Sequence, residues 1–207
     1  MDFRHPIESV IPGTQGRVLA ALLGTSGELN LRTLARVAGV SIAQASRVLP
    51  RLIDLGIVER REVPPSSLFR LVAEHVATRA LLELADARNA VLTEMGRAAS
   101  RIRPAPVSVI AFGPFARGDS ELDSDIDVMI VRPTGIDADN DRWTQTLERW
   151  QTSVSRVAGS TVRILEVDAV AIASKISGGA QLWLDVRRDG QLVFGQRLDE
   201  LAEPVSA

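Results

Sequence analysis

The stretch GPFARGDSELDSDIDVMIV, Gly113–Val131, decides how this chain is read. It ends in an apolar run, IDVMIV, with two carboxylates, Asp125 and Asp127, at its head. Alternate side chains of a strand share a face, so both carboxylates point the same way. The apolar residues after them predict a buried strand, which places the pair at a protected mouth rather than on a solvated turn. Two like charges there repel unless a cation lies between them. Ahead of them lie a glycine, Gly113, and an Ala-Arg-Gly turn, Ala116 to Gly118.

Working outward, the second half of the chain alternates strand and helix. VSVIAF, DIDVMIV and TVRILEV read as strands, and QLVFG as a short closing one. DRWTQTLERWQTSVSRVAG is a helix with Trp143, Leu147, Trp150 and Val154 on one face, and VAIASKISGGAQLWLDVRRDG is mostly helix. Residues 73–100 are predicted as one long amphipathic helix carrying Val76, Leu81, Leu84, Val91 and Met95, ended by the prolines of RIRPAP.

The first part reads differently. TQGRVLAALLG, LRTLARVAG and SIAQASRVLPRLIDLG are three short helices, with Thr14 and Ser41 as expected N-caps and Gly24, Gly39 and Gly56 as stops. IVERREV, PPSS and LFRLV follow as a hairpin. On the third helix, Ile42, Ala45, Val48, Leu49, Leu52 and Leu55 make the expected buried stripe. Ala43, Gln44, Ser46, Arg47 and Arg51 are left facing outward. Pro50 removes a backbone donor in mid-helix and is expected to bend it.

Composition sets bounds. The chain has 207 residues, is 45% hydrophobic and contains no cysteine, so disulfides and thiolate metal sites are excluded. MDFRHPIESVIPG lacks the basic-then-apolar pattern of a secretory signal, and no apolar run approaches the ~18 residues of a membrane span. These features predict a cytoplasmic protein with no membrane partner. Residues 1–72 carry nine basic and six acidic side chains, whereas the remainder carries 15 basic and 20 acidic. A basic front and an acidic back predict two modules with different partners.

Helix, helix, helix, hairpin is the order of a winged helix-turn-helix. LARVAGVSIAQASRVLPRLIDLGIVERR resembles such domains of bacterial transcriptional regulators. The resemblance implies that the third helix enters the major groove of duplex DNA, that Gln44, Ser46, Arg47 and Arg51 with the wing's Arg60 contact it, and that the protein binds as a homodimer.

The composite motif FGPFARGDSELDSDIDVMIV is similar to the signature of the DNA polymerase β-like nucleotidyltransferases, in particular their minimal members. The resemblance covers about residues 101–200 and implies an α+β fold with a mixed sheet. The expected organisation is a winged helix over 1–72, a linking helix over 73–100 and a transferase module over 101–207. By this resemblance Asp125 and Asp127 hold Mg2+, with an NTP, ATP by expectation, as substrate or ligand. Gly113, Arg117, Gly118 and Ser124 would shape the nucleotide site.

Two residues depart from that family's pattern. Pro114 stands where a serine or glycine usually offers phosphate an N–H. Arg163 stands where the next strand usually supplies a third carboxylate. Glu166 and Asp168 lie near but have the opposite strand parity, so Glu166 serves as third catalytic carboxylate only if a bulge turns it into the site. Nucleotidyl transfer to a hydroxyl acceptor is one expected function. A regulator that binds nucleotide without turnover is another. A third is an antitoxin with a toxin protein as partner.

Overall fold

The computed structural model describes residues 1–202; residues 203–207, which the expected transferase module includes, lie outside the described residues. The chain divides into two compact units, one over residues 5–87 and the other made of residues 1–4 with the chain from Arg88 onward.

The first unit opens with α1 (Pro6–Val10) and α2 (Thr14–Leu23). Gly13, not the expected Thr14, is the residue ahead of α2, at φ 82°. A two-residue strand, β1 (Leu29–Asn30), leads into α3 (Leu31–Val37), which is capped by the Asn30 side chain accepting the Thr33 N–H at 2.9 Å. Gly39, at φ 61°, then turns the chain into α4 (Ile42–Asp54). Ser41 and Gln44 close a reciprocal capping box, with bonds of 3.1 and 2.9 Å. A cap of this kind is worth about 1 kcal/mol. The hairpin is β2 (Val58–Val63) against β3 (Ser66–Leu71), antiparallel from Val58↔Leu71 to Val63↔Ser66, and β1 adds to the far edge of β3.

Val18, Leu19, Leu22, Leu34, Leu49, Leu52, Val58 and Phe69 fill the core between these elements. Of the expected stripe on α4, Ala45, Leu49 and Leu52 are buried and Val48 is half-buried. Ile42 and Leu55 are 48% and 49% exposed, because they occupy the first helical position and the C-cap, beyond the reach of the packed helices. Pro50 sits inside α4 without ending it.

The expected single helix over 73–100 is two helices, α5 (Val76–Ala85) and α6 (Ala87–Ala99). Asp86, at ψ 14°, breaks the run. Each half serves a different core. Leu81 belongs to the core of the first unit. Met95, fully buried on α6, belongs to the second, where its carbonyl accepts the indole N–H of Trp150 at 3.2 Å.

The second unit is a four-stranded mixed sheet in the order β6-β5-β4-β7. It comprises β4 (Ser108–Phe112), β5 (Ile126–Arg132), β6 (Val162–Asp168) and β7 (Gln191–Gly195). Only β5 and β6 run parallel, joined by the long helix α8 (Asp141–Ala158). Trp143, Leu147, Trp150 and Val154 of α8 are buried, as their spacing predicts. On the other face lie α9 (Ile172–Ile176), α10 (Gln181–Asp189) and α11 (Leu198–Ala202), which cover Ile110, Phe112, Met129 and Val131. The stretch expected as mostly helix is split between α9 and α10 at the Gly178-Gly179 pair. The molecule is thus α+β, with helices and a small wing in one unit and a mixed sheet in the other. Among the described residues no helix is long and apolar enough to cross a membrane.

Candidate functional site

Val128, Met129, Ile130 and Val131 of β5 are completely buried. Burial of each such side chain stabilises the fold by about 1.5–3 kcal/mol, so the strand cannot slip and the residues at its head are fixed in register. Asp127 pairs with Phe112 of β4 on one side and with Arg163 of β6 on the other. Asp127 and Arg163 therefore share a face.

The turn after β4 forms a single helical turn, α7 (Gly113–Arg117). Gly113 has φ 72°, which favours glycine, and a Cβ there would stand 3.2 Å from Asp127 Oδ2, so that a side chain would press the carboxylate aside by a few tenths of an ångström. Phe115 is fully buried beneath the turn and meets Phe3 edge to face at 5.0 Å between ring centres. Phe3 is itself tied down by its N–H donating to the Ser120 carbonyl at 3.1 Å. Gly118 closes α7 in the left-handed conformation, φ 84°, above the Arg88 guanidinium. Ser124 closes the next turn: its hydroxyl accepts the Glu121 N–H and its own N–H donates to the Glu121 carbonyl, both at 3.0 Å.

Gly113, Pro114, Arg117, Asp127, Arg163, Asp185 and Arg188 line one cleft of about 530 Å³. That volume lies within the range of small-ligand sites. Asp125, just ahead of β5, opens instead onto a neighbouring hollow with Ser124, Ser155 and Ser160. The Arg163 guanidinium stands 2.6 Å from Asp125 Oδ2. It reaches Asp127 only through its charge. Burial pushes the Asp127 carboxyl up from its ordinary range; the Arg163 charge pulls it back and the Asp125 charge adds to the rise.

Arg117 braces the fold. It pairs with Asp119 at 3.2 Å and with Asp189 at the end of α10. Arg188 holds the same carboxylate, and together the bonds from Arg188 and Arg117 bring Asp189 down to about 2. Sequence reading missed α10 as part of the site. It lies over 50 residues beyond Asp127, and no local spacing signals its return to the cleft.

β5 and β6 pair without a bulge, so Glu166 stays opposite Ile130, on the face away from Asp127. There Arg132 pairs with Glu166 at 2.9 Å and with Asp168 at 3.1 Å. The bulge that would have made Glu166 the third carboxylate is absent. Among the described residues no three acidic or histidine side chains gather to hold a metal. Asp127, half-buried and without a hydrogen bond among the described residues, suits one hard cation, with Asp125 as its second ligand if the Arg163 side chain, 71% exposed, swings aside. Beside Asp127, β6 presents Arg163 rather than a carboxylate, and Asp185 of the same cleft is paired with Arg188 at 3.0 Å.

In the first unit, Arg47 and Arg51 are exposed on α4 and make no pair among the described residues. Ser46 lines a groove of about 920 Å³ between α4 and the wing. Gln44 is committed to the capping box, and Arg60 is held by Ser67 at 3.0 Å and Glu62 at 3.2 Å. Of the five residues expected at DNA, two are therefore unencumbered cations.

Residues 13–73 match the family profile described as sugar-specific transcriptional regulator TrmB, and residues 92–178 match that of the nucleotidyltransferase domain. No curated protein matches the chain. Two solved structures resemble part of it. One is described as a toxin-antitoxin with AMP-PNP, with 14% identity over 54% of this chain and 80% of that one, at a TM-score of 0.37. The other is described as a minimal nucleotidyltransferase, with 23% identity over 54% of this chain and 93% of that one, at a TM-score of 0.33. The two matched stretches fall one in each unit, the first similar to a TrmB-type regulator domain and the second to a nucleotidyltransferase domain.

Proposed function

We propose that this protein is a DNA-binding regulator whose transferase-type domain holds a magnesium–nucleotide and transfers the nucleotidyl group poorly. The observation that carries the reading is the pairing of Asp127 with Arg163 across β5 and β6. In a nucleotidyl transfer a third carboxylate at that place would take the acceptor's proton. Arginine has no lone pair to offer and cannot act as a base.

Binding is supported where transfer is not. Asp127 and Asp125 would hold one magnesium ion, which supplies charge neutralisation for a triphosphate. ATP is the nucleotide to test first. Arg163, displaced from Asp125, would be free to meet the same phosphates as a bidentate donor. Pro114 removes one backbone donor from the turn and lowers affinity without closing the cleft. Through Arg47 and Arg51 the helix-turn-helix would hold duplex DNA, as a homodimer on paired half-sites.

Titration calorimetry of ATP into the full chain, with and without magnesium, tests the reading. Magnesium-dependent binding that is lost in Asp127→Asn is the expected result. Equal affinity in all three cases would contradict it.

A further inference from the structure

We infer that the outer flank of α8, together with residues 101–103, binds the phosphate backbone of a nucleic-acid strand. Arg142, Arg149 and Arg156 follow one another at seven-residue steps, so they stand in a row along one side of α8. At 1.5 Å per residue the row is about 21 Å long. Arg101 and Arg103, just after α6, face its first half across a hollow of about 430 Å³, which Gln145 and Ser153 also line. No acidic side chain lines this hollow.

The missing acids are the telling feature. Residues 88–202 carry 14 basic and 16 acidic side chains, so partners are abundant. Arg97, Arg117, Arg132, Arg163, Arg188 and Arg197 each have a carboxylate partner. Arg101, Arg142, Arg149 and Arg156 are exposed and have none among the described residues, although Asp141 and Glu148 lie on α8 itself. Arg103 is held by two backbone carbonyls, of Ser100 at 2.8 Å and Ile102 at 2.7 Å, which fixes its position and leaves its charge uncompensated. Four cations around one hollow, with Arg156 next along the row, repel one another, and an anion with several regularly spaced charges relieves that repulsion. A row of about 21 Å spans about six nucleotides at 3.4 Å of rise each. A single free phosphate group fills only one end of it.

The surface belongs to the transferase-type unit and is independent of the winged helix. Its test therefore uses the full chain with a labelled 20-nucleotide oligouridylate, beside a 20-base-pair duplex DNA of arbitrary sequence and inorganic tripolyphosphate. Arg142→Gln with Arg149→Gln should weaken oligouridylate binding about tenfold near 150 mM salt and reduce the salt slope by about 1.4. Duplex DNA distinguishes the strand type: if it is the natural ligand, the same pair of changes lowers its slope by about 1.8. The double Arg→Lys variant should retain most of the binding, and the melting temperature should be unchanged in both variants. Unaltered affinity and slope for both polymers would overturn the inference. So would tripolyphosphate binding as tightly as the polymers, which would mark a site for small anions.

Discussion

Asp127 and Arg163 are partners across the parallel β5–β6 pair, so an arginine and not a carboxylate stands beside Asp127 on the same face of the sheet. The pairing has consequences for stability as well as for chemistry.

Asp127 has its carboxyl pushed up by burial, so the folded chain binds this proton more tightly than the unfolded one. The sign follows: at low pH both states are protonated and nothing is lost. As pH rises through the ordinary carboxyl range the unfolded state ionises first, and stability falls until the folded carboxyl ionises as well. Asp127→Asn should therefore raise the melting temperature at pH 7, with the gain vanishing at about pH 3. Melting curves across that range check it, and a variant less stable than wild type at pH 7 would contradict it.

Asp189 is the opposite case. Arg188 and Arg117 hold its carboxyl at about 2, so it contributes stability above the ordinary carboxyl range that is lost as pH falls toward 2. Asp189→Asn should cost about 1–2 kcal/mol at pH 7, through two weakened charge-assisted bonds. The loss should shrink in acid. Denaturant unfolding at pH 7 and pH 3 measures both.

Arg47 stands exposed on α4 with no ion pair among the described residues. Arg47→Ala should weaken operator binding by about 1–3 kcal/mol if it reads a guanine. Ser41→Ala, which breaks the capping box with Gln44, should instead cost about 1 kcal/mol of folding stability. Gel-shift titrations at fixed salt, paired with melting curves, separate the two effects.

The sequence disclosed the elements whose signals are local. Gly24, Gly39 and Ser41 mark helix ends by their own chemistry, and the apolar run after Asp127 could only be a buried strand. Strand parity alone puts Glu166 and Arg163 on opposite faces. What escaped depends on packing. The Asp86 break lies in a continuous helical pattern, and only the allegiance of Leu81 and Met95 to separate cores explains it. Ile42 and Leu55 fit the stripe of α4 by spacing, but the helix ends lie beyond its neighbours. The bracing of Arg117 depends on α10, which brings Asp189 to it. The row Arg142, Arg149, Arg156 is plain in the sequence once the outward side of α8 is read as closely as its tryptophan-bearing side.

Pyrophosphate release from magnesium–ATP, measured for wild type and for Arg163→Asp, tests the central claim most directly. Wild type should bind ATP but release pyrophosphate slowly, and Arg163→Asp, which places a carboxylate beside Asp127, should release it at least tenfold faster, equivalent to about 1.4 kcal/mol in the barrier. Rapid release by wild type, undiminished or reduced in Arg163→Asp, would show that Arg163 is a working part of the transfer site and would contradict the account.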